Sequence, residues 1–204
     1  FWLNDGAGRF REAGPEVVRS VAYASMGVDF ADVDRDGHTD FFVVEKLSRD
    51  ASTRLTKANP NNPLPPVPGG LATRLQVARN TLFWNRGDGT FAEVGRYAGV
   101  EATDWSWQPV FLDVDLDGYD DLLVTNGHLH DVNDRDSQAR YARIPKAKRE
   151  QVGLLMFPAN TTANVAYRNL GNFRFAEMSQ AWGFNSPQTS HGIATGDLDN
   201  DGDL

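Results

Sequence analysis

The stretch Asp113-Val114-Asp115-Leu116-Asp117-Gly118-Tyr119-Asp120-Asp121 places three carboxylates at alternate positions, follows them with a glycine and ends in a further carboxylate. Like charges repel one another when they are held this close together. A Ca²⁺ ion removes the repulsion, because it takes six to eight oxygen ligands and alternate side chains of a tight loop converge on one point. Glycine suits the sharp turn of such a loop, since it has no Cβ. The stretch therefore predicts a calcium-binding loop.

Two other stretches repeat the pattern: Asp32-Val33-Asp34-Arg35-Asp36-Gly37-His38-Thr39-Asp40 and Asp197-Leu198-Asp199-Asn200-Asp201-Gly202-Asp203-Leu204. We call residues 32–40, 113–121 and 197–204 the first, second and third loops. Solvated acidic turns are the alternative interpretation. The predicted ligands, with backbone carbonyls expected from His38, Tyr119 and Asp203, are Asp32, Asp34, Asp36, His38, Asp40, Asp113, Asp115, Asp117, Tyr119, Asp121, Asp197, Asp199, Asp201 and Asp203.

A wider repeat surrounds the loops. An Asn-x-Gly turn begins 28 residues before the first aspartate of each loop, at Asn4, Asn85 and Asn169. A phenylalanine lies 22 residues before each loop, and a glutamate lies 20 residues before it. The whole unit recurs after 81 and then 84 residues. Such self-similarity is the sequence signature of a repeat architecture.

Short apolar runs on both sides of the loops predict strands. Phe41-Phe42-Val43-Val44 and Leu122-Leu123-Val124 directly follow the first two loops, and aromatic or β-branched residues favour strands. A second strand pair, joined by an Asn- and Gly-containing turn at 85–89, completes the unit, and the next copy repeats this pair as Val165-Ala166-Tyr167 and Phe173-Arg174-Phe175. Four strands per unit is the number in a β-propeller blade. We therefore predict an all-β fold, a partial β-propeller of about three four-stranded blades.

The repeats also divide the chain. We expect a single propeller segment over residues 1–204, with insertions at about 46–78 and 128–163. The segment holds the tail of one blade (1–14), two full blades (about 26–95 and 106–179) and the start of another (190–204). Closed propellers have four to eight blades, so we interpret the chain as a piece of a longer propeller.

An EF-hand is the obvious competing interpretation of the loops. Its loop requires a bidentate glutamate at position 12. This chain has Val43 and Val124 there, and the residues that follow each loop favour strand rather than helix. The pattern therefore argues against an EF-hand.

The Asp-x-Asp-x-Asp-Gly-x-x-Asp loop between two strands resembles the FG-GAP/VCBS repeats of integrin-α-like propellers. The run Leu82–Phe91, then Ala98-Gly99-Val100 and Trp105-Ser106-Trp107, is similar to the bacterial ASPIC/UnbV and cartilage-acidic-protein-like group. The literal Phe-Gly and Gly-Ala-Pro signatures and an ASPIC/UnbV C-terminal segment are missing from the sequence. The resemblance implies a calcium-stabilised propeller, usually secreted or at the cell surface or in the periplasm, that acts in adhesion or recognition.

Composition narrows the classes of partner. The net charge is −8, and the three loops hold 13 of the 28 acidic residues, so the rest of the chain is mildly basic. This acidity makes nucleic acid an unexpected ligand. The chain has no cysteine, which excludes disulfides and thiolate chemistry. No stretch approaches the roughly 18 apolar residues of a transmembrane helix.

Both insertions are candidate binding regions. Residues 59–70 hold five of the ten prolines and predict an extended loop. Residues 137–141 and 146–156 have helical composition and are flanked by several basic residues, which favours either a solvated decoration or a face for an anionic glycan or an acidic partner.

His128-Leu129-His130-Asp131 is a polar turn or a metal or acid–base site in which Asp131 orients an imidazole. Trp105 and Trp107 either pack between blades or stack on sugars.

These observations favour a binding module over an enzyme. The expected function is a calcium-binding extracellular scaffold for recognition of, or adhesion to, a protein or glycan, with Ca²⁺ as its cofactor and no catalytic activity. The alternative is a propeller-framed enzyme that acts on an anionic polysaccharide, which would need a cleft joining the His128–Asp131 turn to the basic insertion.

Overall fold

The computed structural model describes residues 2–57 and 74–200. This part of the chain is mostly β-structure with little helix. Near its start, β1 (Trp2–Asn4) and β2 (Phe10–Glu12) form an antiparallel hairpin. Farther on, β3 (Ser20–Ala22) runs parallel to β7 (Leu75–Val77). The two large sheets are built around the first two loops and are consistent with part of a propeller.

The first large sheet is an antiparallel meander of four strands. In order across the sheet these are β4 (Val28–Ala31), β5 (Asp40–Val43), β8 (Thr81–Asn85) and β9 (Phe91–Glu93). The first loop joins β4 to β5, so the apolar runs on either side of it are strands, as their composition predicts.

The second large sheet repeats this meander around the second loop. Its strands are β10 (Asp104–Leu112), β11 (Asp121–Asn126), β14 (Val165–Asn169) and β15 (Phe175–Glu177), and β6 (Lys46–Leu47) adds a fifth strand beside β10. Because β6 comes from the first expected insertion, that segment adds a strand to the neighbouring sheet. The first strands of the two sheets also meet, since the Phe111 N–H donates to the Asp29 carboxylate at 2.7 Å.

The hairpin that closes each unit keeps one register. An asparagine lies opposite a phenylalanine in all three copies: Asn4–Phe10, Asn85–Phe91 and Asn169–Phe175. In the last copy the sequence predicted a strand from Phe173, and this start is wrong. Asn172 and Phe173 have φ values of 52° and 54° and belong to the turn, so the strand begins at Phe175.

The first sheet is apolar on both faces, because successive side chains of a strand point to opposite sides. Phe42 is fully buried and packs with Leu82, Leu122 and Val165 in a core shared with the second sheet. Its neighbour Phe41 packs in a separate core against the segment that includes Ala13, Val17 and Val18. Full burial of a large apolar side chain contributes roughly 1.5–3 kcal/mol, so both contacts stabilise the sheet.

The segments between paired strands carry short elements of their own. Besides β6 and β7, they are α1 (Ala51–Thr56), α2 (Gly95–Ala98), β12 (His128–His130), α3 (Arg135–Arg143), α4 (Lys146–Val152), a 3₁₀ turn (Gly153–Met156) and β13 (Ala159–Asn160). The helices of the second segment form where composition predicts them. The proline-rich run 59–70 lies outside the described residues. Within residues 2–57 and 74–200, no helix is long and apolar enough to cross a membrane.

Candidate metal centre

The three loops share an unusual backbone conformation. The fourth residue of each has a left-handed φ, at 61° for Arg35, 59° for Leu116 and 61° for Asn200. The glycine of each of the first two loops follows with φ of 88° (Gly37) and 89° (Gly118), a region that side chains with a Cβ rarely adopt. The sequence repeat therefore encodes a repeated loop geometry.

The aspartates at positions 1 and 5 hold the first two loops in shape. In the first loop, the Asp32 carboxylate accepts the N–H groups of Asp36 and Gly37 at 3.0 and 2.9 Å, and Asp36 accepts from the His38 N–H at 2.9 Å. The second loop repeats these bonds from Asp113 and Asp117 with distances of 2.8–3.0 Å. The carboxylates thus face the inside of the loop, where a cation would lie.

The aspartate that ends each loop links it to the hairpin of the same sheet. The Asp40 carboxylate is fully buried and accepts the N–H groups of Val33 (3.0 Å) and Asn85 (2.7 Å). Asp121 accepts equivalent bonds from Val114 (3.0 Å) and Asn169 (2.8 Å). Burial raises the pKa of Asp40 to about 6, because two backbone donors only partly offset the loss of water.

Two groups of carboxylates converge closely enough to hold one ion. Oxygens of Asp32, Asp34 and Asp40 lie within 4.8 Å of one another, as do oxygens of Asp113, Asp115 and Asp117. Two ligands of one Ca²⁺ are separated by at most about 5 Å, since each lies roughly 2.3–2.6 Å from the ion. Both groups fit that limit.

An orphaned oxygen supports a cation in the first loop. The Asp34 Oδ1 atom is buried and has no hydrogen-bond partner in the described part of the chain. Burial and the neighbouring Asp36 carboxylate also raise the pKa of Asp34. A buried acceptor without a donor is costly, and a Ca²⁺ ion would satisfy it. The first loop therefore fits the metal.

The second loop differs, because an arginine already lies against its carboxylates. Arg168 of β14 places Nε 2.6 Å from Asp115 Oδ2 and Nη2 2.9 Å from Asp117 Oδ2. The Tyr119 N–H and then Arg168 hold the pKa of Asp117 below its usual value. In the first sheet the corresponding residue of β8 is Trp84, which brings no charge.

The other predicted ligands are placed less centrally. Asp36 and Asp121 lie outside the two convergent groups, although each is bonded within its loop. The His38 side chain is exposed, and the Tyr119 ring lies under the Arg35 guanidinium at 5.1 Å. In the third loop Asp197 accepts from the Asn200 N–H at 2.6 Å and Asp199 is exposed. Asp201 and Asp203 lie outside the described residues.

The first two loops also contact each other. The Asn169 side-chain amide donates to the Val33 carbonyl of the first loop at 2.9 Å and to the Asp120 carbonyl of the second loop at 3.1 Å. Asn85 makes only the local equivalent, to the Thr39 carbonyl at 3.2 Å. Sequence reasoning marked both asparagines as turn residues and missed the link between loops, which depends on how the sheets pack.

The side chains of the histidine-rich turn make contacts other than those of the alternative metal or acid–base site. His128 Nδ1 lies 2.7 Å from the His130 carbonyl, and His130 Nδ1 lies 3.0 Å from the Phe157 carbonyl. Asp131 pairs with Lys57 rather than orienting an imidazole. The His128 ring instead stacks on Trp105, with ring centres 4.6 Å apart. This arrangement makes the turn a structural support for Trp105.

One comparison with known proteins finds a match to the repeat. Residues 1–43 and 71–124 match the family described as FG-GAP-like repeat, and these ranges contain the first and second loops. The match supports an FG-GAP repeat protein. No curated protein and no solved structure matches the chain.

Proposed function

We propose that this FG-GAP-like repeat chain is a calcium-binding segment of a β-propeller that serves as an extracellular scaffold for recognition of a protein or glycan. In this proposal the two large sheets are propeller blades, and the protein is secreted or held at the cell surface or in the periplasm. FG-GAP repeats often form extracellular adhesion or recognition scaffolds, which supports this assignment. We also propose, from the sequence likeness, that the chain is related to the ASPIC/UnbV group.

The observation that carries the calcium proposal is the buried, unpartnered Asp34 Oδ1 beside Asp32 and Asp40. Asp32, Asp34 and Asp40 would hold Ca²⁺ in the first loop, and Asp113, Asp115 and Asp117 would hold it in the second. The ion supplies positive charge that offsets the repulsion of the acidic loop, so its binding free energy adds to folding stability. Extracellular calcium modules bind with dissociation constants of roughly 10⁻⁴–10⁻³ M, and we expect that range here.

The positions of the loop carboxylates and of the segments between strands support the scaffold role. The loop carboxylates hold the backbone and face a cation, while the segments between strands present a separate polar surface. We therefore assign recognition to those segments and no catalysis to the chain. Turnover of an anionic polysaccharide that is lost in His128→Ala would contradict this assignment.

Thermal melts in EDTA, Mg²⁺ and millimolar Ca²⁺ test the proposal. We expect Ca²⁺ alone to raise the melting temperature substantially, and Asp34→Asn to remove most of that increase. Asp136→Asn, which removes one exposed charge from the first turn of α3, is the matched control and should keep the increase. A wild-type melting temperature that does not respond to Ca²⁺ would refute the proposal.

A further inference from the structure

The second inserted segment carries a concentrated positive charge. Residues 137–149 hold five lysines and arginines and no aspartate or glutamate, although the chain as a whole has a net charge of −8. We call residues 140–155, which cover the end of α3, all of α4 and most of the 3₁₀ turn, the basic surface. Like charges held this close together repel one another, so the basic surface is complementary in charge to an anionic partner.

The two lysines of α4 are available to such a partner. Lys146 and Lys148 are both exposed, and neither forms an ion pair with a carboxylate of residues 2–57 and 74–200. This includes Glu150, the single acidic residue of the basic surface. Binding an anion at these lysines would therefore break no existing ion pair.

Two exposed leucines follow the lysines directly. Leu155 is 84% exposed and Leu154 is 49% exposed. A helical residue rises about 1.5–2 Å, so the Cα atoms of Lys148 and Leu155 lie within about 15 Å of each other. Because removing aliphatic surface from water is favourable, the partner that best fits this surface has an apolar part as well as a negative charge.

The leucines are exposed even though the segment has an apolar contact of its own. Tyr141 packs on the buried Phe157, with ring centres 5.6 Å apart. Arg149 lies over the other side of this contact, 5.4 Å from the Tyr141 ring, and donates to the carbonyls of Ile144 (3.0 Å) and Ala142 (2.9 Å). These contacts hold the turn between α3 and α4, so a partner would meet a surface that is already ordered.

A lipid bilayer fits this combination better than other anionic partners. A polyanionic glycan would pair with the lysines but would gain little from exposed leucines. An acidic protein would need a pocket shaped for a side chain as exposed as Leu155. A bilayer needs no such pocket, because anionic headgroups attract lysines near the surface and apolar side chains enter the boundary between headgroups and acyl chains.

We propose that the basic surface docks on a phospholipid bilayer that contains anionic lipids, with Lys146 and Lys148 at the headgroups and Leu154 and Leu155 entering the bilayer below them. A segment docked in this way lies on the membrane and does not span it. The docking goes beyond the calcium scaffold and would hold the scaffold against a membrane. It uses none of the loop carboxylates.

Cosedimentation of the full chain with vesicles, at millimolar Ca²⁺, tests the docking. We expect saturable binding to vesicles of phosphatidylcholine and phosphatidylglycerol, no binding to phosphatidylcholine alone, and weaker binding at high salt, which screens exposed charges. Lys146→Gln/Lys148→Gln should bind roughly fivefold more weakly for each lysine removed. Leu155→Ser should bind severalfold more weakly.

Two matched controls change exposed residues elsewhere. Arg11→Gln/Arg19→Gln removes two exposed charges, and Leu55→Ser removes a leucine of α1 that is 79% exposed. Neither control should change binding to the vesicles. Since all of these variants alter exposed side chains, we expect each to keep the melting temperature of the wild type.

The absence of cysteine from the chain permits a direct test of insertion. A solvent-sensitive dye attached to Leu155→Cys should shift its emission to the blue when anionic vesicles are added. The same dye on Leu55→Cys should not shift. Binding without a shift at position 155 would overturn the proposal, because it would show contact with headgroups alone.

Three other results would also overturn the docking. They are failure to bind the anionic vesicles, binding that survives Lys146→Gln/Lys148→Gln, as Ca²⁺ bridges from the acidic loops would give, and tighter binding to soluble polygalacturonate than to vesicles. A chain that Ca²⁺ stabilises but that does not bind vesicles leaves the calcium scaffold intact. Vesicle binding by a chain whose melting temperature ignores Ca²⁺ would support the docking and refute the calcium proposal alone.

Discussion

Arg168 Nε lies 2.6 Å from Asp115 Oδ2, so the Arg168 guanidinium already places a positive charge beside the second loop. Trp84 occupies the same position beside the first loop, where the Asp34 Oδ1 atom has no hydrogen-bond partner among the residues that the structure describes. Two loops with the same backbone thus differ in charge balance. In the proposed function the first loop would depend on a bound ion for neutralisation, whereas Arg168 of the same sheet partly neutralises the second loop.

This difference predicts unequal calcium affinities. We expect the first loop to bind Ca²⁺ more tightly than the second, because Ca²⁺ must displace or share Asp115 and Asp117 with Arg168. Arg168→Gln should raise the affinity of the weaker site severalfold and leave the stronger site unchanged. Calorimetric titration of Ca²⁺ into the apoprotein measures both sites. Arg143→Gln in α3 removes the same charge elsewhere and should change neither, and an unchanged weaker site in Arg168→Gln would contradict the prediction.

The Asn169 amide should stabilise the contact between the two sheets. Asn169→Ala removes the bonds to the Val33 and Asp120 carbonyls and leaves buried acceptors, so we expect a loss of about 2 kcal/mol in the free energy of unfolding. Asn85→Ala removes only local bonds, so its loss in the free energy of unfolding should be about 1 kcal/mol smaller than that of Asn169→Ala. Urea denaturation of both variants gives the difference. Equal losses would mean that the link between loops contributes nothing.

The Asp134 cap gives α3 a dependence on pH. Asp134 accepts from the Ser137 N–H at 2.7 Å, and its bonds to Ser137 lower the pKa of the carboxyl below its unfolded value. A lowered pKa in the folded state means that the stabilisation is present at pH values above the unfolded pKa and is lost as the pH falls through the folded pKa. Asp134→Ala should therefore cost about 1 kcal/mol at pH 7 and less at pH 3. Denaturation curves of wild type and variant at both pH values measure this, and a cost that does not change with pH would contradict it.

Two phenylalanines on neighbouring strands provide a test of the core. Phe42→Ala should cost about 3–5 kcal/mol in the free energy of unfolding, since it opens a cavity between the sheets where the side chain is fully buried. Phe30→Ala should cost far less, because 57% of Phe30 is exposed. Chemical denaturation at fixed Ca²⁺ compares the two. Similar costs would show that the shared core is not where the structure places it.

The strands and loops of this fold were accessible from sequence because their signals are local. The strands beside the first two loops follow from short apolar runs, and the hairpins follow from Asn-x-Gly turns at a constant distance from each loop. The helices near Ser137 and Lys146 follow from composition. The assignment of the loops to calcium, their predicted ligands and the bounds of the propeller segment stay predictions.

The features that were missed depend on contacts between distant residues. Arg168 reaches the second loop only because β14 pairs with β11, and nothing in the local sequence marks it as a loop partner. A cavity between the two inserted segments is lined by Lys46, Trp105 and Thr162, which are far apart in the chain. In the alternative interpretation of the histidine-rich turn Asp131 would orient an imidazole, whereas in the structure Asp131 pairs with Lys57 of the other inserted segment. The periodicity of the sequence carries no information about contacts between residues that are distant in the chain.

Because the first sheet is apolar on both faces, we expect its unfolding to be coupled to the unfolding of the elements packed on each face. Phe41 and Phe42 bury opposite faces of the same strand, so opening this sheet uncovers the segment before it and the sheet after it together. Stability in such a stack is approximately a sum of each unit and its contacts with adjacent units. We therefore expect an ion bound in one loop to slow hydrogen exchange in the next sheet as well as in its own, and the size of the effect in the next sheet would measure how strongly binding in one repeat stabilises its neighbour.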